Sequence, residues 1–346
     1  MRLKIFIGLL SQSHAYHVLR VNNQNKMLMK RLFFCCVILL GVMNSCATKP
    51  KEKHNAITVT TSTAIITQSY NVKGFSGIDI GMVGNVEYVQ GDTYSVSITA
   101  PRNIIANTEV SNKNGLLRIH WKEGTKHKDK DECKKTPIIR ITSPRMDIID
   151  MYGVNDFKAK NMKGGDMKID LSGVNSLHID NLSSESLTLN MRGVVDGKIN
   201  INAKKVKFDG TGVIDITSSV CSDDFKIANS GSGEYKVTFS GKKGRIDNTG
   251  NGDISLKATR TDLLDIVNSG LGEFNLNFKG GEGRINNTGK GEVKADLECQ
   301  RIVVTNAGFG EVTLAGTADD VQIDNQGISH VDSSVASAST VTSVRV

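Results

Sequence analysis

The chain has 346 residues, 38% of them hydrophobic and only 5% aromatic, with 34 glycines against four prolines and a formal net charge of +7. Six of the 43 Lys and Arg residues and none of the 36 acids lie in residues 1–45, so the remainder is close to neutral. That leaves no basic surface field to attract phosphates and excludes a nucleic-acid partner, while few aromatics and many glycines suit a repetitive β protein with thin layers and many turns.

Residues 1–26 read as an upstream extension, because a better export signal begins at Met27 or Met29; translation from Met1, Met27 or Met29 is left open. In residues 27–45, Lys30 and Arg31 give a positive start and Leu32 to Val42 an apolar stretch too short for a membrane span. Met43-Asn44-Ser45-Cys46 follows, and the small residue before Cys46 resembles the lipobox of bacterial lipoproteins, although Met43 and Asn44 depart from its commonest form. The resemblance implies cleavage before Cys46, a lipid on its sulfur and an outer-membrane place in the cell envelope, facing either the periplasm or the outside. The plainer alternative is an ordinary signal peptide with an incidental cysteine. Residues 46–56, with Lys49-Pro50-Lys51 and Lys53, read as a polar tether.

Residues 57–148 read as less regular β structure that caps a repetitive region beginning at residue 149. Ile78 and Ile80, then Val86 to Val89, then the alternating Tyr94 to Ile98 and Leu116 to Trp121 have strand periodicity, with turns at Gly91-Asp92 and Asn114-Gly115. A charged loop spans Lys122 to Lys135, after which Ile138 to Ile141 is expected to feed the first regular coil.

From residue 149 to 335 one glycine returns at Gly153, Gly173, Gly193, Gly212, Gly231, Gly250, Gly270, Gly289, Gly308 and Gly327, nine intervals of 19 or 20 residues. Four residues before it stands an unbroken apolar column from Ile149 to Ile323, and four and six residues after it stand two more, interrupted only by small residues. Apolar side chains two apart have the strand period. Each unit is therefore strand, tight turn, strand. A unit this short buries its apolar face only by stacking on its neighbours, and it has neither the leucine pattern nor the room for a helix that leucine-rich repeats need. The expected fold is all-β: a single-chain parallel β-solenoid (β-helix) with 19–20-residue coils, its ten coils spanning roughly 48 Å at the usual strand spacing. Residues 336–346, rich in Ser, Thr and Val, read as a cap or as a tail that pairs with another chain.

Two polar columns run through the repeat. Two residues before the glycine are Asn229, Asn248, Asn268, Asn287, Asn306 and Asn325, read as a structural amide ladder. Three residues after it lie Asp156, Asp196, Asp215, Glu234, Asp253, Glu273, Glu292 and Glu311, with Ser176 and His330 as exceptions; Lys158, Lys198, Lys236 and Lys294 sit two residues further on. This is read as a solvated, partly paired stripe rather than a calcium site. The paired glycines around Ser232, Asn251, Leu271, Lys290 and Phe309 lack the strand-to-helix setting of a nucleotide fingerprint and are read as turns that need positive φ. The candidate binding surface is Glu234, Asp253, Glu273, Glu292 and Glu311 with the turn-tip Leu271 and Phe309.

No catalytic residues, metal site or cofactor can be defended. Cys35 and Cys36 lie in the leader, and Cys133, Cys221 and Cys299 have no metal spacing; Cys221 and Cys299 are four coils apart, so buried free thiols are expected. Parallel β-helices also host polysaccharide lyases and glycosidases, the rival reading. Such sites need long insertions, and the only long irregular loop here is the one near His120, His127 and Asp129.

Phe75-x-x-Ile78, the Val86 strand, Gly91-Asp92, Asn114-Gly115-x-Leu117-x-Ile119, Pro144 and the repeated Ser/Thr-Gly-x-Gly turns resemble, in that order, the head GIN domain family of "putative auto-transporter adhesins" common in Bacteroidota. The resemblance spans about residues 72–335. It implies a single-chain β-helix, often on lipoproteins, and brings no catalytic residues. Function is expected to be non-enzymatic: a membrane-anchored envelope protein that contacts glycan or protein through many weak, equivalent sites along a rigid rod, with its oligomeric state open.

Overall fold

The computed structural model describes residues 64–125, 135–326 and 330–344, all within the second of the two units into which the chain divides, Thr61–Val346. The extension, signal peptide, Cys46 and tether, together with His127, Asp129, Cys133 and Gly327, lie outside the described residues.

The unit is an all-β parallel solenoid. Its first elements are β1 (Ile65–Tyr70), β2 (Gly77–Gly81), β3 (Gly84–Gln90), β4 (Ser95–Pro101), the one-turn helix α1 (Arg102–Ala106), β5 (Thr108–Lys113), β6 (Leu116–Trp121) and β7 (Ile138–Ser143). The repeats come next as β8 (Ile148–Lys163), β9 (Asp166–Met191), β10 (Val194–Gly210), β11 (Val213–Cys221), β12 (Asp224–Asn229), β13 (Ser232–Ser240), β14 (Lys243–Asn248), β15 (Asn251–Asn268), β16 (Leu271–Asn287), β17 (Lys290–Asn306) and β18 (Val312–Asn325), closed by β19 (Val331–Ser333) and β20 (Ala336–Val344).

Register turns the sequence columns into stacked rungs. Phe208 lies beside Ile227, Ile227 beside Ile246, Ile246 beside Ile266, and the column continues through Ile285 and Val304 to Ile323. All are buried in one continuous core that runs from Phe75 to Ile323. Burying each such side chain contributes about 1.5–3 kcal/mol before chain entropy is counted. Coils of 20 and 19 residues fit together because the odd residue is absorbed in bulges, between Ile199 and Ile201 and between Thr259 and Thr261. Arg260, in the second bulge, has a φ of 56°. Both bulges lie away from the glycine column, which keeps its alignment.

The N-terminal segment differs in spatial order from its order in sequence. β2 is parallel to β8 on one side and β6 on the other, and β3 lies likewise between β8 and β7. Residues 138–143 lead into β8 along the chain but do not stack on it; β3 stands between β7 and β8. Beyond them β4 pairs antiparallel with β7, β1 with β4, and β5 with β6, which covers the end of the parallel stack and protects its edge. At the other end β20 continues the stack as a parallel strand on β18, with Thr340 beside Val321. Solenoids end on such polar rungs. The thiols also depart from expectation: Cys221 is exposed and Cys299 half-buried, because both fall where a coil turns its polar side to solvent; burial pushes the Cys299 thiol up to about 11.

The glycine column owes its identity to crowding. Positive φ occurs at Gly153 and Gly173 but at no later first glycine through Gly308, and among the paired glycines only at Gly272, which corrects the turn-geometry reading. A Cβ on Gly193 would lie 1.9 Å from the carbonyl oxygen of Gly173, and one on Gly250 would lie 2.2 Å from that of Gly231. Backbone rests on backbone from coil to coil, leaving no room for a side chain. Replacing Gly250 with Ala is expected to destabilise the rod by about 3 kcal/mol or more, whereas Asn251→Ala, at an exposed turn tip, should change stability by less than about 0.5 kcal/mol; thermal melts of the two variants measure the difference.

Candidate functional site

The amide column lies inside the turn edge. Asn229 Nδ2 donates to Asn248 Oδ1 at 2.7 Å, Asn248 to Asn268 and Asn268 to Asn287 at 2.9 Å, Asn287 to Asn306 at 3.0 Å, and Asn306 to Asn325 at 3.3 Å. All six residues are buried. The ladder crowds the second glycine of several pairs: a Cβ on Gly252 would meet Asn248 Oδ1 at 2.7 Å, and one on Gly291 would meet Asn268 Nδ2 at 2.5 Å, whereas at Gly272 the Gly252 carbonyl oxygen, 2.0 Å away, leaves no room. In the first coils the arrangement is inverted. Met151 and Leu171 stand before the glycine, and Asn155 and Asn175 stand after it, the first donating to the second at 3.3 Å. Amide and backbone packing account for these paired glycines.

The acidic column occupies one register, Asp196 beside Asp215, Glu234 and Asp253, and Glu273 beside Glu292. Lysines two residues on neutralise part of it: Lys158 reaches Asp156 at 2.5 Å, Lys236 reaches Glu234 and Lys294 reaches Glu292 at 2.6 Å, and Lys294 also lies 3.8 Å from Glu273. Burial, then the neighbouring Asp215 and Asp156, push the Asp196 carboxyl above its ordinary range. Among the described residues no group of three or more His, Cys, Asp or Glu is placed to hold a metal ion. At the turn tips Leu271 is 51% and Phe309 67% exposed, with Lys290 Nζ 5.6 Å from the centre of the Phe309 ring. The acids and the apolar tips belong to separate columns, three residues and one residue after the glycine.

A second charged face escaped the sequence reading. Three residues before the glycine are Asp150, Asp170, Asp209 and Asp247, with Lys168, Lys207, Lys226 and Arg245 in the column two residues earlier. Lys168 pairs with Asp170, Lys207 with Asp209, and Lys226 and Arg245 with Asp247, all between 2.6 and 2.8 Å. The signal was present as opposite charges two apart, but it changes residue from coil to coil. At its N-terminal end Asp79 accepts from Arg118 Nε at 3.0 Å and pairs with His120 Nε2 at 2.8 Å, while the Tyr152 hydroxyl lies 3.1 Å from His120 Nδ1. Asp79 thus ties β2 to β6, and it and Tyr152 hold His120 in the cap.

Beside the acidic column lies a concavity that the sequence reading did not single out. A shallow groove of about 640 Å³ crosses six coils and runs along the rod axis. One wall is the register Thr217, Lys236, Ser255, Asn275, Lys294, Thr313; the other is Thr238, Lys257, Asn277, Asp296 and Ala315. A second depression of about 610 Å³, lined by Asn161, Asn181, Asn200 and Ser219, adjoins its N-terminal side. There Asn181 donates to Asn161 at 3.0 Å and Asn200 to the carbonyl of Asp180 at 2.9 Å.

The sequence pattern described as "Putative auto-transporter adhesin, head GIN domain" matches residues 74–257 and 256–345. The chain belongs to this family. Among solved structures, this head GIN chain is similar to a "putative adhesin" from Bacteroides fragilis, 20% identical, covering 79% of this chain and 98% of that one with a TM-score of 0.32. A "putative adhesin" from Parabacteroides distasonis is 16% identical over 82% of this chain and 98% of that one, TM-score 0.33. A "putative lipid binding protein" from the same organism is 17% identical over 81% and 96%, TM-score 0.33. No curated protein matches the chain.

Removing one amide from the middle of the ladder leaves Asn287 Oδ1 without its donor and takes an acceptor from the Gly270 N–H. Asn268→Ala is expected to cost about 2 kcal/mol, Asn325→Ala at the ladder's end about 1 kcal/mol or less, read from denaturant midpoints. The carboxyls separate by sign. A folded-state pKa raised above the unfolded one means that ionised Asp196 weakens the fold at neutral pH, and this penalty disappears as pH falls through that raised value. Burial pushes Asp247 the same way, but hydrogen bonds from Arg245 and Lys226 outweigh it and hold the carboxyl below its ordinary range, so its stabilisation is present at neutral pH and lost in acid. Asp196→Asn should therefore raise Tm slightly and Asp247→Asn lower it at pH 7, with both differences shrinking as melts are repeated below the carboxylate range.

Proposed function

We propose that this protein is a non-enzymatic, lipid-anchored adhesin or scaffold of the cell envelope, seated in the outer membrane through Cys46 and working as a rigid rod. The observation that carries the reading is the parallel stacking from β8 to β18, shifted by only single-residue bulges, which repeats the surface columns from coil to coil with no inserted loop to wall off a reaction cleft. A catalytic cleft needs a few groups converging on one bond, whereas here acids, lysines and turn tips are spread in lines. Lines suit multivalent contact, in which weak sites add along a surface. The family's description as adhesins supports the same reading.

Protease treatment of intact cells, with permeabilised cells as control, tests it. Digestion of the rod on intact cells is the expected result for an adhesin; protection until permeabilisation would turn the reading to periplasmic scaffolding. Cys46→Ala should shift the protein from the membrane fraction to the soluble fraction, and retention in the membrane would remove the lipid anchor from the reading. Glu273→Lys with Glu292→Lys should alter binding to cells, and unchanged adhesion would take the acidic column out of the contact surface.

A further inference from the structure

We propose that the axial groove between the Thr217 and Thr238 columns binds a neutral linear polysaccharide, laid along the rod with about one sugar unit per coil. This rests on the reading of the protein as an adhesin and names the ligand class of one face.

Three observations lead to this ligand. The groove walls repeat once per coil, about 4.8 Å, close to the advance of one sugar residue in an extended chain. A peptide strand rises about 3.3 Å per residue, so its side chains fall out of step with the coils. The floor's backbone groups are already spent on the parallel ladders between β11, β13, β15, β16, β17 and β18. An added strand would find no free N–H or C=O there, so contact must come from side chains, and those present are hydroxyls, amides, ammonium groups and the Asp296 carboxylate, with aliphatic groups such as Ala315 between them.

The groove also holds unused hydrogen-bonding capacity. Among the described residues the side chains of Thr217, Thr238, Ser255 and Lys257 make no hydrogen bond or ion pair within the protein, although all four line the groove. This distinguishes the groove from the neighbouring depression, where the asparagines bond to each other and to the backbone. Asn275 and Asn277 donate one N–H each, to Glu273 at 3.1 Å and Asp296 at 2.9 Å, and each amide has another to offer. Hydroxyl-rich chains satisfy such alternating donors and acceptors.

Charge selects the neutral polymer. Lys236, Lys257 and Lys294 line the groove together with Asp296, but Lys236 and Lys294 are already paired to the acidic column, which forms the rim two residues away. Asp253, Glu273 and Glu311 add negative charge along that rim. An anionic chain would meet like charges from coil to coil. The acidic file thus serves to exclude acidic polymers.

The test uses the full-length chain in calorimetric titrations with linear β-1,4-glucan oligosaccharides of increasing length, with polygalacturonate and polyglutamate as anionic comparators. Affinity is expected to rise with each added sugar until the oligosaccharide spans the six coils of the groove, then level off, with no binding of either anionic polymer. Ser255→Trp, which fills the groove, and Lys257→Ala should each weaken oligosaccharide binding by about tenfold, one good hydrogen-bonded contact. Lys279→Ala, at an exposed pair with Glu298 outside the groove, should leave binding unchanged. Circular dichroism confirms that each variant is folded. Absence of oligosaccharide binding, affinity independent of length, equal binding of polyglutamate, or undiminished binding by folded Ser255→Trp would each overturn the proposal. Protein exposed on intact cells but without oligosaccharide binding refutes the groove and leaves the adhesin reading standing; oligosaccharide binding by a protein protected on intact cells supports the groove and refutes that reading.

Discussion

Everything in this rod depends on how closely one coil's turn can approach the next. At the glycine column the carbonyl of one coil occupies the place where the next coil's Cβ would be, so the spacing is set by backbone alone. Because the contact recurs at every coil, alignment is passed from turn to turn, and apolar columns that start in register stay in register. A side chain there would push two coils apart and break the ladders on both sides. The amide ladder depends on the same approach, since Asn248 reaches both Asn229 and Asn268 only where the turns stack directly.

Electrostatics then differentiates faces that the backbone makes equivalent. On one, lysine and arginine answer aspartates within a strand and between coils, as when Arg245 bridges to both Asp247 and Asp265. Pairs of this kind contribute little each in water, so they chiefly prevent like charges from stacking unanswered. On the other face the match is incomplete: burial and the neighbouring Asp215 and Asp156 make the Asp196 carboxyl hold its proton more tightly than usual, with no lysine or arginine among the groups that oppose the shift. The groove lies beside this incompletely neutralised line, and several of its polar side chains are ones the protein leaves unbonded.

The solenoid was legible in the sequence because its defining contacts recur at a fixed period, and columns such as Ile227, Ile246 and Ile266 announce themselves. The glycines were visible, but their reason was not: positive φ and backbone crowding both select glycine, and only the stacked neighbours distinguish them. The dependence of Gly252 on Asn248 could have been inferred from the exchange with Asn155 and Asn175, where the amide and the open position trade places. The cap resisted because its antiparallel returns occur once each, so nothing in residues 77–90 reveals that they lie between β8 and the later strands β6 and β7. The groove was hidden for another reason. Thr217, Lys236, Ser255, Asn275 and Lys294 share a place but no chemistry beyond polarity, and a search for repeated identities passes over them.

The burial of β2 and β3 between strands made after them bears on how the chain acquires its structure during synthesis. Ile78 must wait for Leu117 and Ile149 before both its edges are covered, a long-range closure that is slow relative to local pairing. Each coil beyond β8 needs only the one just completed. The slowest closure is therefore expected at the amino-terminal end, with later coils adding one by one in the order in which the chain is synthesised.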